Sequence, residues 1–237
     1  MPRAALSACA LAVAACGELN ASDYPGEPRY VLSGVVVGLL ESRVQTSESY
    51  LAVVWEPTLP GGAGIATWQI ADVRDAALPA DFALALYDPP GADRLDDYRG
   101  VAPGVAGRIG VGHLVVFEDI EANRTFDGTK LDQQGPDLLR GDATQYRVIF
   151  ADDVSPALIA YLGDERRGDE RFLDNPAALR PGFNLARTVC VAPGARDYFR
   201  LRVIADEMVP VEPFNLGEPP CPPVWGHDQG WAPPSQK

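Results

Sequence analysis

From Tyr30 onward the chain consists of short segments in which apolar and polar residues alternate with period two, each bounded by glycine, proline or aspartate. "YVLSGVVVGLL" (Tyr30 to Leu40), "YLAVVWEP" (Tyr50 to Pro57), "ATWQIADV" (Ala66 to Val73) and "DFALALYDPP" (Asp81 to Pro90) read as the first four strands. In the fourth, Phe82, Leu84 and Leu86 point one way and Ala83, Ala85 and Tyr87 the other. Pro89 and Pro90 stop it, because neither can donate to a ladder. "HLVVFED" (His113 to Asp119), "YRVIFAD" (Tyr146 to Asp152), "FNLARTVCV" (Phe183 to Val191) and "YFRLRVI" (Tyr198 to Ile204) follow. In the last, Phe199, Leu201 and Val203 share a face opposite Arg200 and Arg202, as in a sheet with one wet side. Between the sixth and seventh strands, Ser155 before Pro156 predicts a helix cap, with proline at the first helical position and an end near Gly163. The charge-rich run to Asn175 reads as a solvated loop. The pattern predicts an all-β protein: a β-sandwich of about eight strands with one short helix and long loops.

Composition agrees with a body that buries its own core. The chain has 237 residues, of which 46% are apolar, and 23 Gly with 22 Pro punctuate it without forming repeats. Charge narrows the partners: 33 acidic against 20 basic residues would repel phosphate backbones, and no stretch concentrates Lys and Arg, so nucleic-acid binding is disfavoured.

The stretch before the first strand has a different character. Arg3 is followed by an apolar run from Ala4 to Ala15, too short to span a bilayer, so residues 1–15 read as a secretory signal. The quartet Val13-Ala14-Ala15-Cys16 resembles the bacterial lipobox, a branched aliphatic and two small residues ahead of the cysteine that receives lipid. The alternatives are a signal cut at Ala12-Val13-Ala14, or a buried helix with an incidental cysteine. The lipobox resemblance implies that Cys16 becomes the acylated first residue of the mature chain, with several acyl chains that together anchor stably where one would not. It further implies an address in the bacterial cell envelope. Gly17 after the cysteine favours the outer membrane, with the body facing the periplasm or the surface. Residues 16–29, small and polar, read as a tether, residues 30–210 as the body, and 211–237 as a proline-rich tail. Removing residues 1–15 deletes Arg3 and no acid, so the net charge goes from -13 to -14.

"LPADFALALYDPP" followed by "GVGHLVVFEDIEANRTFD" resembles the pattern of a group of lipoproteins from myxobacteria and their relatives. That resemblance implies a signal peptide leading to a transthyretin-like or carboxypeptidase-regulatory-like β-sandwich, in which a strand feeds a loop rich in aspartate and asparagine. It implies a fold and an address rather than a reaction.

That loop is the chief candidate site. Calcium needs about six to eight oxygens at roughly 2.3–2.6 Å, which a tight loop supplies from alternate residues. Asp119, Glu121 and Asn123 stand at positions one, three and five, the carbonyl of Thr125 at seven and Asp127 at nine. Arg124 replaces the turn glycine at position six and Lys130 replaces the glutamate at twelve, with Asp132 close enough to substitute. The other reading is a strand-to-strand turn whose polar side chains cap local backbone groups.

The cysteines form the second constellation. With Cys9 lost in the signal and Cys16 acylated, Cys190 and Cys221 are the remaining thiols in an oxidising compartment. A disulfide between them would close a loop of about thirty residues, worth roughly 3–4 kcal/mol in the chain-entropy model. A metal pair or a redox thiol has no C-x-x-C spacing behind it.

Catalytic signals are sparse. His113 opens an apolar strand and His227 lies in "PPVWGHDQGW", poor settings for a triad base. No G-x-S-x-G, H-E-x-x-H or phosphate loop occurs in the sequence. The doublets Asp96-Asp97 and Asp152-Asp153 would send neighbouring carboxylates to opposite faces of a strand. Two Arg-Gly-Asp triplets, Arg140 to Asp142 and Arg167 to Asp169, reflect composition. Trp225 and Trp231, among prolines and glycines, are candidates to stack on a sugar or enter a partner's pocket, or else fold back on the body. The expected function is a non-enzymatic binding or structural module held on a membrane, with an envelope protein or glycan as partner. An envelope hydrolase, with carboxylates such as Asp88 and Asp206 converging, is the alternative.

Overall fold

Twelve strands, one α-helix and two single-turn 3-10 helices (Ala92–Arg94 and Pro176–Ala178) make up the regular structure of the described residues of this computed structural model, which are 19–20, 26–42, 48–56, 66–73, 77–127, 135–164, 173–190 and 199–214. In chain order they are β1 (Leu19–Asn20), β2 (Tyr30–Val36), β3 (Glu48–Glu56), β4 (Ala66–Asp72), β5 (Ala80–Leu86), β6 (Asp96–Asp97), β7 (Arg108–Asp119), β8 (Leu138–Asp142), β9 (Tyr146–Ala151), α1 (Pro156–Leu162), β10 (Gly182–Cys190), β11 (Phe199–Ile204) and β12 (Val209–Pro213). The fold is all-β, as the alternation predicts. Among the described residues no helix is long and apolar enough to cross a membrane.

All eight predicted strands are present, and four more accompany them. β1 and β6 have two residues each, too few to show a period. β8, "LLRGD", carries two charges and a glycine, and β12, "VPVEP", has two prolines, so both read locally as turns. β12 runs across residue 210, so the segment taken as tail begins inside a strand. Leu19 and Asn20, inside the segment taken as tether, pair in parallel with Phe82 and Ala83 of β5, and β1 also lies against β4.

The sheet folds on itself because β12 serves two neighbours. Val209 to Val211 run parallel to Gly34–Val36 of β2, while Glu212 and Pro213 pair antiparallel with Asp142 and Gly141 of β8. β12 thereby joins the β1-β5-β2 layer to the layer built on β7. β7 is the spine of that second layer. β3 and β6 pair along one edge, β9 and β8 along the other, and the sheet continues to β10 and β11 beyond β9 and to β4 beyond β3.

Between the layers, Leu32 and Val36 of β2, Phe82, Leu84 and Leu86 of β5 and Val209 and Val211 of β12 pack on Leu51, Val53 and Trp55 of β3, Leu114 and Val116 of β7 and Val148 and Phe150 of β9. Burying each large side chain of this kind stabilises by about 1.5–3 kcal/mol relative to exposure. Trp55, fully buried, explains why the spine contains glycine: a Cβ at Gly112 would lie 2.7 Å from Val53 and 3.2 Å from the indole, and one at Gly110 would lie 2.7 Å from Leu95. β7 thus begins five residues before His113, in a stretch whose glycines hide it from a pattern search.

Two outer faces are covered as well. On β9, β10 and β11, Ile149, Ala186, Leu201 and Val203 pack against Leu158 and Leu162 of α1 and against Leu179. The apolar face of β11 is therefore buried under a helix, outside the sandwich interior. α1 starts as predicted: the Ser155 hydroxyl accepts from the Leu158 amide at 3.1 Å, Pro156 follows, and Gly163 ends the helix. On β3 and β7, Tyr50, Ala52, Val54, Val115 and Phe117 form a third cluster closed by Phe126, which belongs to the candidate loop.

Candidate functional site: the 119–127 loop

β7 ends at Asp119, whose side chain is 1% exposed. Its carboxylate accepts from the main-chain amides of Asn123 at 3.2 Å and Arg124 at 2.7 Å, curling the following residues back over the strand end. The Asn123 side chain continues the turn, accepting from the Thr125 amide at 2.7 Å and donating to an Asp127 oxygen at 2.5 Å. Ala122 and Arg124 take left-handed φ values of 55° and 59°. Arg124, standing where an ion loop has glycine, adopts the conformation glycine takes freely, and its guanidinium lies 5.8 Å from the centre of the Tyr50 ring.

The residue that closes the loop is Asp137, which spacing alone did not single out. Lying just before β8 and 2% exposed, it accepts from the Ile120 amide at 3.0 Å and the Asp127 amide at 2.8 Å. One carboxylate therefore ties both ends of the loop. Phe126 is the apolar pin. Its amide donates to the Thr67 hydroxyl of β4 at 2.6 Å, and its ring meets Phe117 edge-on with centres 5.6 Å apart.

Crowding of carboxylates shapes the electrostatics. The hydrogen bond with Asp127 pushes the Glu121 carboxyl above its ordinary value, with burial and the charges of Asp127, Asp137 and Asp119 adding to it. Burial raises Asp137 too, against the pull of its two main-chain donors. Of the residues proposed as calcium ligands, Asp119, Asn123 and Asp127 are joined in one hydrogen-bonded turn, and Glu121 and Thr125 are exposed on it. Lys130 and Asp132 lie outside the described residues. Among the described residues no three His, Cys, Asp or Glu side chains converge as a metal ion would require. What the arrangement does chemically is satisfy main-chain N–H groups over a covered apolar patch.

The other candidate positions separate. Cys190, at the end of β10, is disulfide-bonded. Cys16, Cys221, Trp225, Trp231 and His227 lie outside the described residues. His113 is half-buried in β7, where burial and the neighbouring charge of Arg147 push its imidazole well below the ordinary value, so it is neutral. Asp97 is held at about 2 by hydrogen bonds from Arg99, and Asp152 accepts from the Arg108 amide at 2.6 Å and its Nε at 2.5 Å. Asp206 accepts from the Tyr30 hydroxyl at 2.6 Å, which leaves it engaged in a tyrosine contact. Arg140 to Asp142 belong to β8: the Arg140 guanidinium donates to the Leu40 carbonyl and the Ser49 hydroxyl, and Gly141 is buried, so the triplet is a strand segment. Arg167 to Asp169 lie outside the described residues. Compared with known proteins, the chain matches no family model, no curated protein and no solved structure.

Proposed function

We propose that this protein is a lipid-anchored lipoprotein of the bacterial envelope, in which Cys16 carries the anchor and the β-sandwich is a binding or structural module. The observation that carries the reading is the order of chemistries along the chain. A positive charge at Arg3 precedes a short apolar run. The run ends in Val13-Ala14-Ala15-Cys16, a polar stretch follows, and then comes a strand-built body. Small residues before the cysteine suit a signal-peptidase pocket, and acyl chains at its thiol and amine would hold an acidic body of this size on a membrane.

The site geometry supports a module over a catalyst. The polar cluster around Asp119 and Asp137 uses its carboxylates on the main chain. At the opposite end of the sandwich, Asp97, Asp152 and Asp206 are engaged by Arg99, Arg108 and Tyr30. An oxidising envelope compartment also suits the disulfide at Cys190, for which Cys221 is the proposed partner.

Intact mass of the protein extracted from its native membrane, with and without thiol alkylation, tests both points. The expected mass is that of a chain beginning at an acylated Cys16 with no alkylatable thiol. A mature chain free in the medium with an unmodified first residue would overturn the proposal.

A further inference from the structure

The direction of β1 says which end of the sandwich the anchor leaves. Leu19 and Asn20 run parallel to β5, paired with Phe82 and Ala83, so the chain before Leu19 heads toward the Ala80 end of that strand. Cys16 is three residues upstream, and three residues span at most about 10 Å. Ala80 is two residues from Phe82, or about 7 Å along the strand. An anchor attached three residues before Leu19 would therefore be within reach of the Ala80 end.

That end carries exposed apolar side chains. Ala80 pairs with Val36. Val37 follows Val36 and is 49% exposed, and Leu78, two residues before Ala80, is 40% exposed. Further round the same rim, Leu40 bonds through its amide to the Arg140 carbonyl of β8, and Ile120 follows the end of β7; they are 43% and 39% exposed. Four of the seven large apolar residues that are exposed among those described thus gather at the end where the anchor would enter the bilayer, while Val31 pairs with Ala85 toward the opposite end and Met208, just before the partner of Gly34, stands back from the rim. Among the described residues exposed there, Glu41, Asp72, Asp81 and Glu121 outnumber the cation Arg124, an acidic balance that favours neutral headgroups over anionic ones.

We infer that the rim bearing Val37, Leu40, Leu78 and Ile120 rests on the lipid surface, its apolar side chains dipping into the headgroup boundary, so that the body stands on the membrane in one orientation. The inference builds on the acylation of Cys16 proposed above. Interfacial seating needs apolar side chains on the membrane side and an attachment that brings them there, and the register of β1 places the two together.

The test uses the full acylated chain in phosphatidylcholine vesicles containing bromine-labelled phosphatidylcholine, with tryptophan introduced singly by Leu78→Trp, Val37→Trp, Val31→Trp and Met208→Trp. Emission is read against the parent protein. At Leu78 and Val37 the added emission should fall about twofold, and at Val31 and Met208 it should stay nearly unchanged, as expected for groups inside and outside the headgroup boundary. Equal quenching at all four positions, or none at any, in a chain whose mass shows the acyl groups would overturn the seating and leave the anchor standing. A chain that binds no vesicles and carries no acyl mass would overturn both.

Discussion

Polar side chains are buried at two places beside β3, β4 and β7, and they have opposite fates. At the loop, Asp119 and Asp137 are 1% and 2% exposed, and each accepts two main-chain hydrogen bonds. At the bulge where β4 slips against β3, between the pairs Ala52-Ile70 and Val53-Trp68, Gln69 takes a left-handed φ of 46° and is 4% exposed. Among the described residues neither its amide oxygen nor its nitrogen has a partner. Burial of a polar side chain is therefore not one kind of event. In the loop it organises nine residues, whereas in the bulge it accompanies a backbone irregularity and costs about 1–3 kcal/mol for the unmade bonds. The difference lies in supply. A turn leaves amides without ladder partners and a nearby carboxylate satisfies them, whereas a strand interior uses its amides in the ladder and has none left for a glutamine.

Substitutions can break this contrast. The largest effect is expected from Phe126→Ala, which empties the edge-on site on Phe117 and frees the loop: about 3–5 kcal/mol of stability by urea denaturation, the range for buried aromatic truncation. A loss near zero would mean that the loop does not lie on the third cluster.

Asp137→Ala should come next. It leaves the Ile120 and Asp127 amides without acceptors, at about 2–4 kcal/mol for two orphaned donors. Its pH dependence sharpens the comparison. Because the folded state raises the Asp137 carboxyl above 3.8, the native protein binds more protons there than the unfolded chain. Stability from this group is then fully present below 3.8 and is lost as pH rises through the higher folded value. Asp97, lowered from 3.8 to about 2, has the opposite sign: its contribution is present above 3.8 and lost as pH falls toward 2. Urea midpoints of the parent and the Asp137→Ala variant across that acid range should differ in slope, with the downward slope on rising pH smaller in the variant.

At Gln69 the sign should invert. Gln69→Met keeps an unbranched side chain and removes both unpartnered atoms, so the variant should gain about 1–3 kcal/mol by the same denaturation measurement. A loss would mean that the amide has a partner in solution, such as an internal water.

The smallest effect separates the two readings of the loop. Since the carboxylates of Asp119 and Asp137 already serve main-chain donors, millimolar calcium added to chelator-treated protein is expected to leave the melting temperature unchanged. A rise would show that Glu121, Asp127 and their neighbours exchange those contacts for an ion.

Much of the fold was legible in advance because it is written locally. Period-two alternation in "DFALALYDPP" placed Phe82, Leu84 and Leu86 in the core, and the Ser155-Pro156 pair marked the start of α1. The loop was legible in part. Its alternate polar positions were evident, as was the demand on Arg124 to adopt a glycine-like backbone. Asp137 was not, since it acts across the intervening residues 128–134 and carries no spacing signal of its own. β8 and β12 were missed because charge, glycine and proline disguise them, although their partners across the sheet make them strands.

By itself, then, the sequence determined the all-β class of the protein and which residues share a face in the strands whose alternation is visible, because side-chain alternation and local capping act over a few residues. Only the tertiary structure decided that β11 turns its apolar face to α1, that Phe126 covers β3 and β7, and that β12 ties the two layers together. Those outcomes depend on pairings between segments far apart in the chain, such as Val209 with Gly34, and are selected by which surfaces remain unburied once the local elements have formed.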